Sequence, residues 1–272
     1  MTNKNNFKKI GIMKKKAIIN SIVVYIFTFL ILIPYIFLIF SSFRRVQDIQ
    51  AYPPKFFNPL TLVNYIRIFK DINIFFFIRN SAIVASCNAI LSILFALPAA
   101  YAVARFNFKW KRSVLLVYLL IQMAPLIAIV YPIAQLVQNI GIFDNLIALI
   151  LFYLPWNIPF AIWMLKPFIE SIPKVLEEAA FVDGCSRFYS FIRIVIPLLL
   201  PGLFVAAIFI FMGAWNEFVI AIFITSDAAK TFPTTVDFFM TYGAFQWGAL
   251  FAAAVLGTIP IVIFGLFLRK SV

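Results

Sequence analysis

Acidic side chains are scarce in this sequence, and four of its ten Asp and Glu residues lie in the segment 166–200: Glu170, Glu177, Glu178 and Asp183. Neighbouring carboxylates can serve as a general acid and base, but the chain contains no His, the commonest catalytic base and metal ligand. Carboxylates set among small and apolar residues can instead bind basic groups of another protein. We therefore predict a docking segment here.

The segment 166–200 has the local signals of a short helix over about 173–183. Pro173 suits the first helical turn, and Gly184 suits the residue just past the end, where a positive φ is needed. Apolar residues recur at helical spacing between the acids: Val175, Leu176, Ala179, Ala180 and Val182. An amphipathic loop lying on lipid headgroups is the alternative, although an anionic leaflet disfavours clustered carboxylates.

A second short helix should follow. Ser186 could cap it, and Arg187 would lie in its first turn. Pro197 and Pro201 then predict a turn into the next apolar run.

Other binding chemistries lack their sequence signals. Cys87 and Cys185 lie far apart, so neither a disulfide nor a cysteine-rich metal site is predicted. Glycine-rich phosphate-binding loops are absent, so we expect the chain to bind no nucleotide and no cofactor itself.

Composition places these residues in a membrane protein. Of the 272 residues 64% are apolar, 12% are charged and 34 are Phe. A globule of this size cannot bury such an excess, so a bilayer must act as solvent. The net charge of +13 is then better explained by cytoplasmic loops and anionic headgroups than by nucleic acid, and no nucleic-acid partner is expected.

Six apolar runs are long enough to cross about 30 Å of hydrocarbon as helices. The predicted spans are 17–41, 75–103, 113–137, 145–165, 198–224 and 248–268. Prolines inside these runs predict kinks. The sequence thus predicts an all-α, six-helix protein with a basic tail at 1–16, a loop at 42–74, a five-helix core at 75–268 and a short tail at 269–272.

The distribution of Lys and Arg predicts the orientation. The segments before 17 and at 104–112, 166–197 and 269–272 hold 16 of the 23 basic residues. Both termini and the docking segment should therefore be cytoplasmic. The loop 42–74 conflicts with this rule because it holds five basic residues, softened by Asp48 and Asp71.

Polar and aromatic side chains at membrane depth are candidates for a transport pathway. Asn and Gln can equally well join helices by hydrogen bonds, and Trp is common at membrane interfaces. The candidates are Gln122, Trp156, Asn157, Trp215, Asn216 and Glu217.

The stretch Glu178-Ala179-Ala180-Phe181-Val182-Asp183-Gly184-Cys185, followed by Phe191, Ile194, Pro197 and Pro201, resembles the EAA loop of ABC importer permeases. Cys185 and Ile196 depart mildly from the usual Ala and Leu. Ala214-Trp215-Asn216-Glu217-Phe218, Arg79-Asn80-Ser81, Ala51-Tyr52-Pro53-Pro54-Lys55 and Asn64-Tyr65 also resemble segments of such permeases. The chain is most similar to the smaller permease subunit of carbohydrate importers, the maltose type.

This resemblance implies a type I ABC importer permease fold in the cell membrane. It implies a second permease subunit, two cytoplasmic ATPase subunits that bind ATP and Mg, and an extracytoplasmic solute-binding protein. Membrane lipid surrounds the chain, which catalyses no reaction. The residues carried over to a coupling role in ATPase docking are Glu177, Glu178, Ala179, Ala180, Asp183, Gly184 and Arg187.

Two alternatives remain at this stage. An importer of another solute, such as glycerol phosphate or a peptide, would have the same motif. A membrane-embedded enzyme would need an acid–base pair, and Glu217 is the one acid expected at membrane depth. Family members often continue past the last span with a Gly- and Ala-rich tail. This sequence has only the short tail 269–272, so a regulatory contact through such a tail is not predicted.

Overall fold

The structure is a computed structural model that describes residues 2–53, 58–123, 125–241 and 244–271. Pro54 and Lys55 of the sequence motif at 51–55 lie outside the described residues. The chain is mostly helical, and its elements in order are α1 (Thr2–Ser42), α2 (Val46–Ile49), α3 (Val63–Lys70), α4 (Ile74–Arg105), α5 (Lys111–Met123), α6 (Leu126–Asn139), α7 (Leu146–Ser171), α8 (Lys174–Val182), α9 (Arg187–Ser190), a π turn (Phe191–Val195), α10 (Ile196–Asn216), α11 (Val219–Ile224), a 3-10 helix (Pro233–Phe239), β1 (Met240–Thr241), β2 (Ala244–Phe245) and α12 (Trp247–Ser271).

Five helical segments in the described chain are long and apolar enough to cross a membrane: Ile18–Ser42, Ile74–Arg105, Leu146–Ser171, Arg187–Asn216 and Trp247–Phe267. A sixth span results if α5 and α6, which are bent by 88° relative to each other, are counted together. The predicted all-helical membrane class is therefore confirmed, with five or six spans.

Two predicted spans differ from the observed helices. The run 113–137 is interrupted, because Pro125 has an extended backbone and precedes α6. The run 198–224 ends early at Asn216, where Glu217 adopts an extended conformation before α11 begins. Hydropathy does not detect either break, because apolar residues continue on both sides of it.

The chain divides into two compact units, residues 1–71 with 241–256 and residues 72–240 with 257–272. In the first unit, buried Asn64 donates hydrogen bonds to the carbonyls of Ser42 and Arg44 at 2.8 and 2.7 Å. The hydroxyls of Ser42 and Tyr65 lie 2.8 Å apart. These bonds fix the end of α1 against α3, and they give the Asn64-Tyr65 pair of the sequence motif a structural role.

The second unit has a core formed by α4, α7 and α10. Along one face α4 presents small residues, including Ala96, Ala100 and Ala104, which pack with Leu165 of α7 and Ile210 of α10. Small side chains allow membrane helices to approach closely, where van der Waals packing stabilises them. This face of α4 ends at Tyr101 and Arg105, next to the segment that the sequence predicts to dock a partner.

Candidate functional site

Helix α8 occupies the predicted docking segment and is one residue shorter at each end than the sequence signals indicate. It begins after Pro173 and is followed by Asp183 and then by Gly184, whose φ is +87°. The Gly184 amide donates to the Phe181 carbonyl at 3.1 Å, and the Cys185 amide donates to the Ala180 carbonyl at 2.9 Å. These two bonds form a Schellman cap. The prediction that Gly184 ends the helix in a left-handed conformation is confirmed.

Glu177 faces the interior of the unit, with 4% of its surface exposed. Its Oε1 accepts from Nε of Arg105 at 2.6 Å, and its Oε2 accepts from the hydroxyl of Tyr101 at 2.5 Å. Arg105 also donates from Nη2 to the Ile172 carbonyl at 2.8 Å, in the turn between α7 and α8. Both oxygens of the Glu177 carboxylate therefore have hydrogen-bond donors inside this chain.

The opposite face of α8 is open. Glu178, Ala179, Asp183 and Gly184 are exposed, whereas Ala180 is buried. Exposed apolar side chains lie on and beside the same helix: Val175, Leu176, Val182 and Phe188. Since Val182 and Phe188 are 88% and 73% exposed, this face combines carboxylates with uncovered apolar surface. Such a mixed surface is typical of protein interfaces.

A polar cavity of about 310 Å³ lies between α8, the end of α4 and α9, lined by Tyr101, Arg105, Lys174, Glu177, Glu178, Phe181 and Arg187. Arg187 is exposed, and its guanidinium lies over the rings of Phe106 and Phe181 at 5.4 and 5.5 Å. These cation–π contacts hold Arg187 at the wall of the cavity. The structure thus gathers Glu177, Glu178 and Arg187 around one depression.

The segment after Gly184 differs from its prediction. Ser186 does cap α9, because its side chain accepts from the Tyr189 amide at 3.2 Å. However, α9 continues through the π turn Phe191–Val195 into α10 without the turn expected at Pro197 and Pro201. A π turn accommodates the missing amide of Pro197, and packed neighbours tolerate proline in a membrane helix. The predicted second short helix is therefore the first turn of a span.

The polar candidates at membrane depth have partners inside the chain. Gln122 donates to the Trp156 carbonyl at 2.8 Å, and Asn157 donates to Oδ1 of Asn88 at 2.5 Å. Asn216 donates to the carbonyl one turn earlier in its own helix, at 2.9 Å. The bonds of Gln122 and Asn157 match the helix-joining alternative raised from the sequence, whereas the Asn216 bond stays within α10.

Trp215 and Glu217 also have structural partners. Trp215 is buried, stacks between Phe211 and Phe232, and donates to the Gly257 carbonyl at 3.2 Å. Glu217 accepts from the amides of Ile220 at 2.8 Å and of its neighbour Ala221 at 3.2 Å. It therefore caps α11 at the break after α10.

Three of the six pathway candidates do come together. Trp156, Asn157 and Glu217 line a cavity of about 180 Å³ together with Leu126, Tyr153, Gly213, Ala214 and Ile220. Gln122 lines a separate cavity of similar size with Tyr118, Pro159, Phe160 and Trp163. Trp215 and Asn216 line neither cavity.

Sequence reasoning missed Asp144, which holds another loop. Its carboxylate accepts from the backbone amides of residues 226–229 at 2.9–3.2 Å. Burial raises the pKa of this carboxyl, but the four amide donors outweigh burial and bring the pKa down to about 2. Asn80 holds the same loop by donating to the carbonyls of Ala228 and Lys230. The loop is thereby fastened at two points.

Tyr101 and Arg105 were also missed as partners of the docking segment. Arg105 carried a signal only as a basic residue at the end of an apolar run. Among the described residues, no group of three or more His, Cys, Asp and Glu could hold a metal ion.

Residues 92–272 match the profile of the family described as "Binding-protein-dependent transport system inner membrane component". The sulfoquinovosyl glycerol transport system permease protein SmoH of Agrobacterium fabrum is 35% identical over 234 residues, covering 85% of this chain and 82% of that protein. The trehalose/maltose transport system permease protein MalG of Thermococcus litoralis is 34% identical over 245 residues, covering 89% and 88%.

The fold is also found in a solved structure. A chain of a bacterial ABC transporter involved in the import of the acidic polysaccharide alginate superposes with a TM-score of 0.76 at 18% identity. The match covers 94% of this chain and 96% of that chain.

Proposed function

This chain belongs to the binding-protein-dependent transport system inner membrane components, and we propose that it is the permease subunit of a carbohydrate importer in which α8 is the coupling helix. Its family makes it a multi-pass, non-catalytic membrane component of an ABC importer. The proposal adds the class of solute and the role of α8.

The observation that carries the coupling role is the division of α8 into two faces. Glu177 holds the inner face onto α4 through Arg105, while Glu178 and Asp183 remain on the outer face beside exposed apolar residues. The outer face offers carboxylates for basic groups and apolar surface for burial, which suits a cleft of a partner ATPase. Helix α8 is nine residues long, about 13 Å, and so suits a cleft of modest size.

The proposed assembly contains a second permease subunit, two cytoplasmic ATPase subunits that bind ATP and Mg, and an extracytoplasmic binding protein. Both termini of this chain would be cytoplasmic, on the side of α8. The excess of Lys and Arg at 104–112 and 166–197 supports this orientation. Cytoplasmic α8 is also required if ATPase subunits are to reach it.

Carbohydrate is proposed as the solute because both relatives described above are named for sugar transport. The cavity with Trp156, Asn157 and Glu217 supplies an aromatic face and hydrogen-bonding groups, the chemistry that binds sugars. Importers of glycerol phosphate or of peptides are the alternative.

Reconstitution tests both parts of the proposal. The chain would be assembled in vesicles with its partner permease, ATPase and binding protein. The binding protein would be tested against maltose, trehalose, sulfoquinovosyl glycerol, glycerol 3-phosphate and a tripeptide. We expect a saccharide to bind and to be taken up only with ATP. Exclusive binding of glycerol phosphate or the peptide would instead establish the alternative solute.

Substitution on the outer face tests the role of α8. Glu178→Lys places a positive charge where a basic cleft is proposed, so uptake and ATPase recruitment should both fall. Asp71→Lys is the matched control, because Asp71 is an exposed acid that pairs with Arg67 at the end of α3, outside the docking segment. Normal uptake by the Glu178→Lys complex would contradict the docking role.

A further inference from the structure

A buried ion pair joins the end of α4 to α8. The side chains of Arg105 and Glu177 are 7% and 5% exposed, and their charged atoms lie 2.6 Å apart. Each carboxylate oxygen of Glu177 has its own donor, Arg105 on one and Tyr101 on the other. Because Arg105 also binds the Ile172 carbonyl, it connects α4, the turn before α8 and α8 itself.

Stability alone does not account for this arrangement. Removing two charges from water is costly, and apolar residues of similar volume often give equal or greater stability. What an ion pair with hydrogen bonds adds is direction, because its donors and acceptors fit in a single arrangement. The arrangement therefore fixes the position of α8 on α4 more than it strengthens the fold.

The position of α8 matters because, apart from this ion pair, the helix packs mainly against α9 and the π turn that follow it in the chain. Its covalent connections are the turn at 172–173 and the left-handed turn at Gly184. Large or charged residues on and at the end of its outer face are exposed: Val175, Leu176, Glu178, Val182 and Asp183. In contrast, α4 packs along α7 and α10 through its alanines. A displacement of α8 would reach the membrane helices directly if α8 were fastened to α4.

We propose that Arg105, Glu177 and Tyr101 form a clamp that makes α8 and the adjacent end of α4 move as one body during transport. These are positioning residues: they touch neither ATP nor solute, and they transmit the movement of the ATPase subunits to α4. The clamp rests on the proposed function of α8 as the coupling helix, and it assigns α4 as a membrane helix that moves with α8.

The test uses the complete transport complex in vesicles and measures molecules of saccharide imported per ATP hydrolysed. The probe is the saccharide that the binding protein binds among those tested in the preceding subsection. Glu177→Ala should leave ATP hydrolysis measurable but lower the import ratio about tenfold, within the 5–150-fold range typical of coupling between sites. Tyr101→Phe removes one of the two bonds to the carboxylate and should lower the ratio less. Arg67→Ala breaks an exposed ion pair with Asp71 at the end of α3, outside the docking segment, and should leave the ratio unchanged.

A covalent rescue separates positioning from a need for charge. Arg105→Cys and Glu177→Cys would be introduced into a chain whose own cysteines are replaced, Cys87→Ser and Cys185→Ala. The double cysteine variant should be uncoupled, and a short thiol cross-linker joining the two positions should restore the import ratio. A requirement for the charges themselves would not be met by this neutral link, so recovery would show that the position of α8 on α4 is what coupling needs.

The outcomes are distinct. If the unmodified complex imports no member of the panel, the proposed function fails before the clamp is tested. If it imports and the Glu177→Ala complex keeps the normal ratio, the clamp is wrong. If Glu177→Ala fails to assemble, the cysteine pair decides: a cross-linked complex that assembles and remains uncoupled overturns the proposal, and one that regains coupling supports it.

Discussion

Substitution of Gly184 tests whether the docking segment requires a left-handed backbone conformation at this residue. The residue has φ +87°, and a Cβ added there would meet no atom within 4 Å. Any effect of Gly184→Ala must therefore come from backbone strain and not from a clash. A left-handed conformation costs an L-residue about 1–2 kcal/mol, and the loss of chain entropy in the unfolded state offsets about 0.4–1 kcal/mol. The net destabilisation of the cap should be about 1 kcal/mol.

Hydrogen exchange of the Cys185 amide measures this cost directly, because that amide is bonded to the Ala180 carbonyl at 2.9 Å. About 1 kcal/mol corresponds to roughly fivefold faster exchange when the cap recloses faster than exchange occurs. In Gly184→Asn the Cys185 amide should exchange only about twofold faster than in the unmodified chain, since Asn tolerates the left-handed region. Gly184→Pro cannot reach a positive φ and loses the amide bonded to Phe181, so it should destabilise the closed cap by more than about 3 kcal/mol.

Gly141 provides a matched control. It has φ +73° with no atom within 4 Å of an added Cβ, and its amide donates to the Gln138 carbonyl in the same kind of cap. Gly141→Ala should accelerate local exchange after α6 by a similar factor while leaving solute uptake unchanged. Gly184→Ala should do both, slowing uptake as well. Equal exchange in wild type and Gly184→Ala would refute the strain argument, and equal uptake in Gly184→Pro would refute the coupling role.

Three further perturbations follow from the second unit. Asp144→Ala should loosen residues 226–229 and lower the local stability of this loop by about 1 kcal/mol after allowance for solvent screening. Since the pKa of Asp144 is about 2 against an ordinary 3.8, the stabilisation in the unmodified chain should be complete above about pH 4 and disappear as pH falls towards 2. Hydrogen exchange of the loop measures both effects. Asn88→Leu removes a fully buried amide with partners on α7, and should lower the unfolding free energy in detergent by about 1–2 kcal/mol. Gly202→Ala would place a Cβ 2.7 Å from Cγ of Phe168, costing about 1–3 kcal/mol in thermal unfolding, and Phe168→Leu should recover part of that loss.

Features set by neighbouring residues were predictable from the sequence. The bounds of α8 and the left-handed Gly184 follow from Pro173 and from the end of an apolar pattern, because capping is a local property of the chain. The membrane class was predictable because composition alone decides whether a core can be buried in water.

The two adjacent acids of α8 show where local reasoning ends. Glu177 and Glu178 have the same chemistry and the same apolar neighbours in sequence, yet one is buried and the other is exposed. The difference is set by Arg105, which precedes Glu177 by 72 residues. No periodicity within α8 identifies a partner that distant, so the sequence predicted two docking acids where the structure has one buried, paired acid and one exposed acid.

The break after α10 bears on how force would cross the membrane. Arg187–Asn216 is a 30-residue helix, about 45 Å long, whereas the hydrocarbon layer is about 30 Å thick. A helix of this length must extend beyond the bilayer, and α9 at one end is joined to α8 through the left-handed turn at Gly184. At the other end, Glu217 stops the helix and caps α11 with its own carboxylate. A continuous helix with a non-helical residue near each end can transmit displacement along its length and change direction at those two residues. Gly184 and Glu217 are therefore where rotation of this span would be accommodated, and the clamp on α4 would ensure that two spans, and not one, follow the coupling helix.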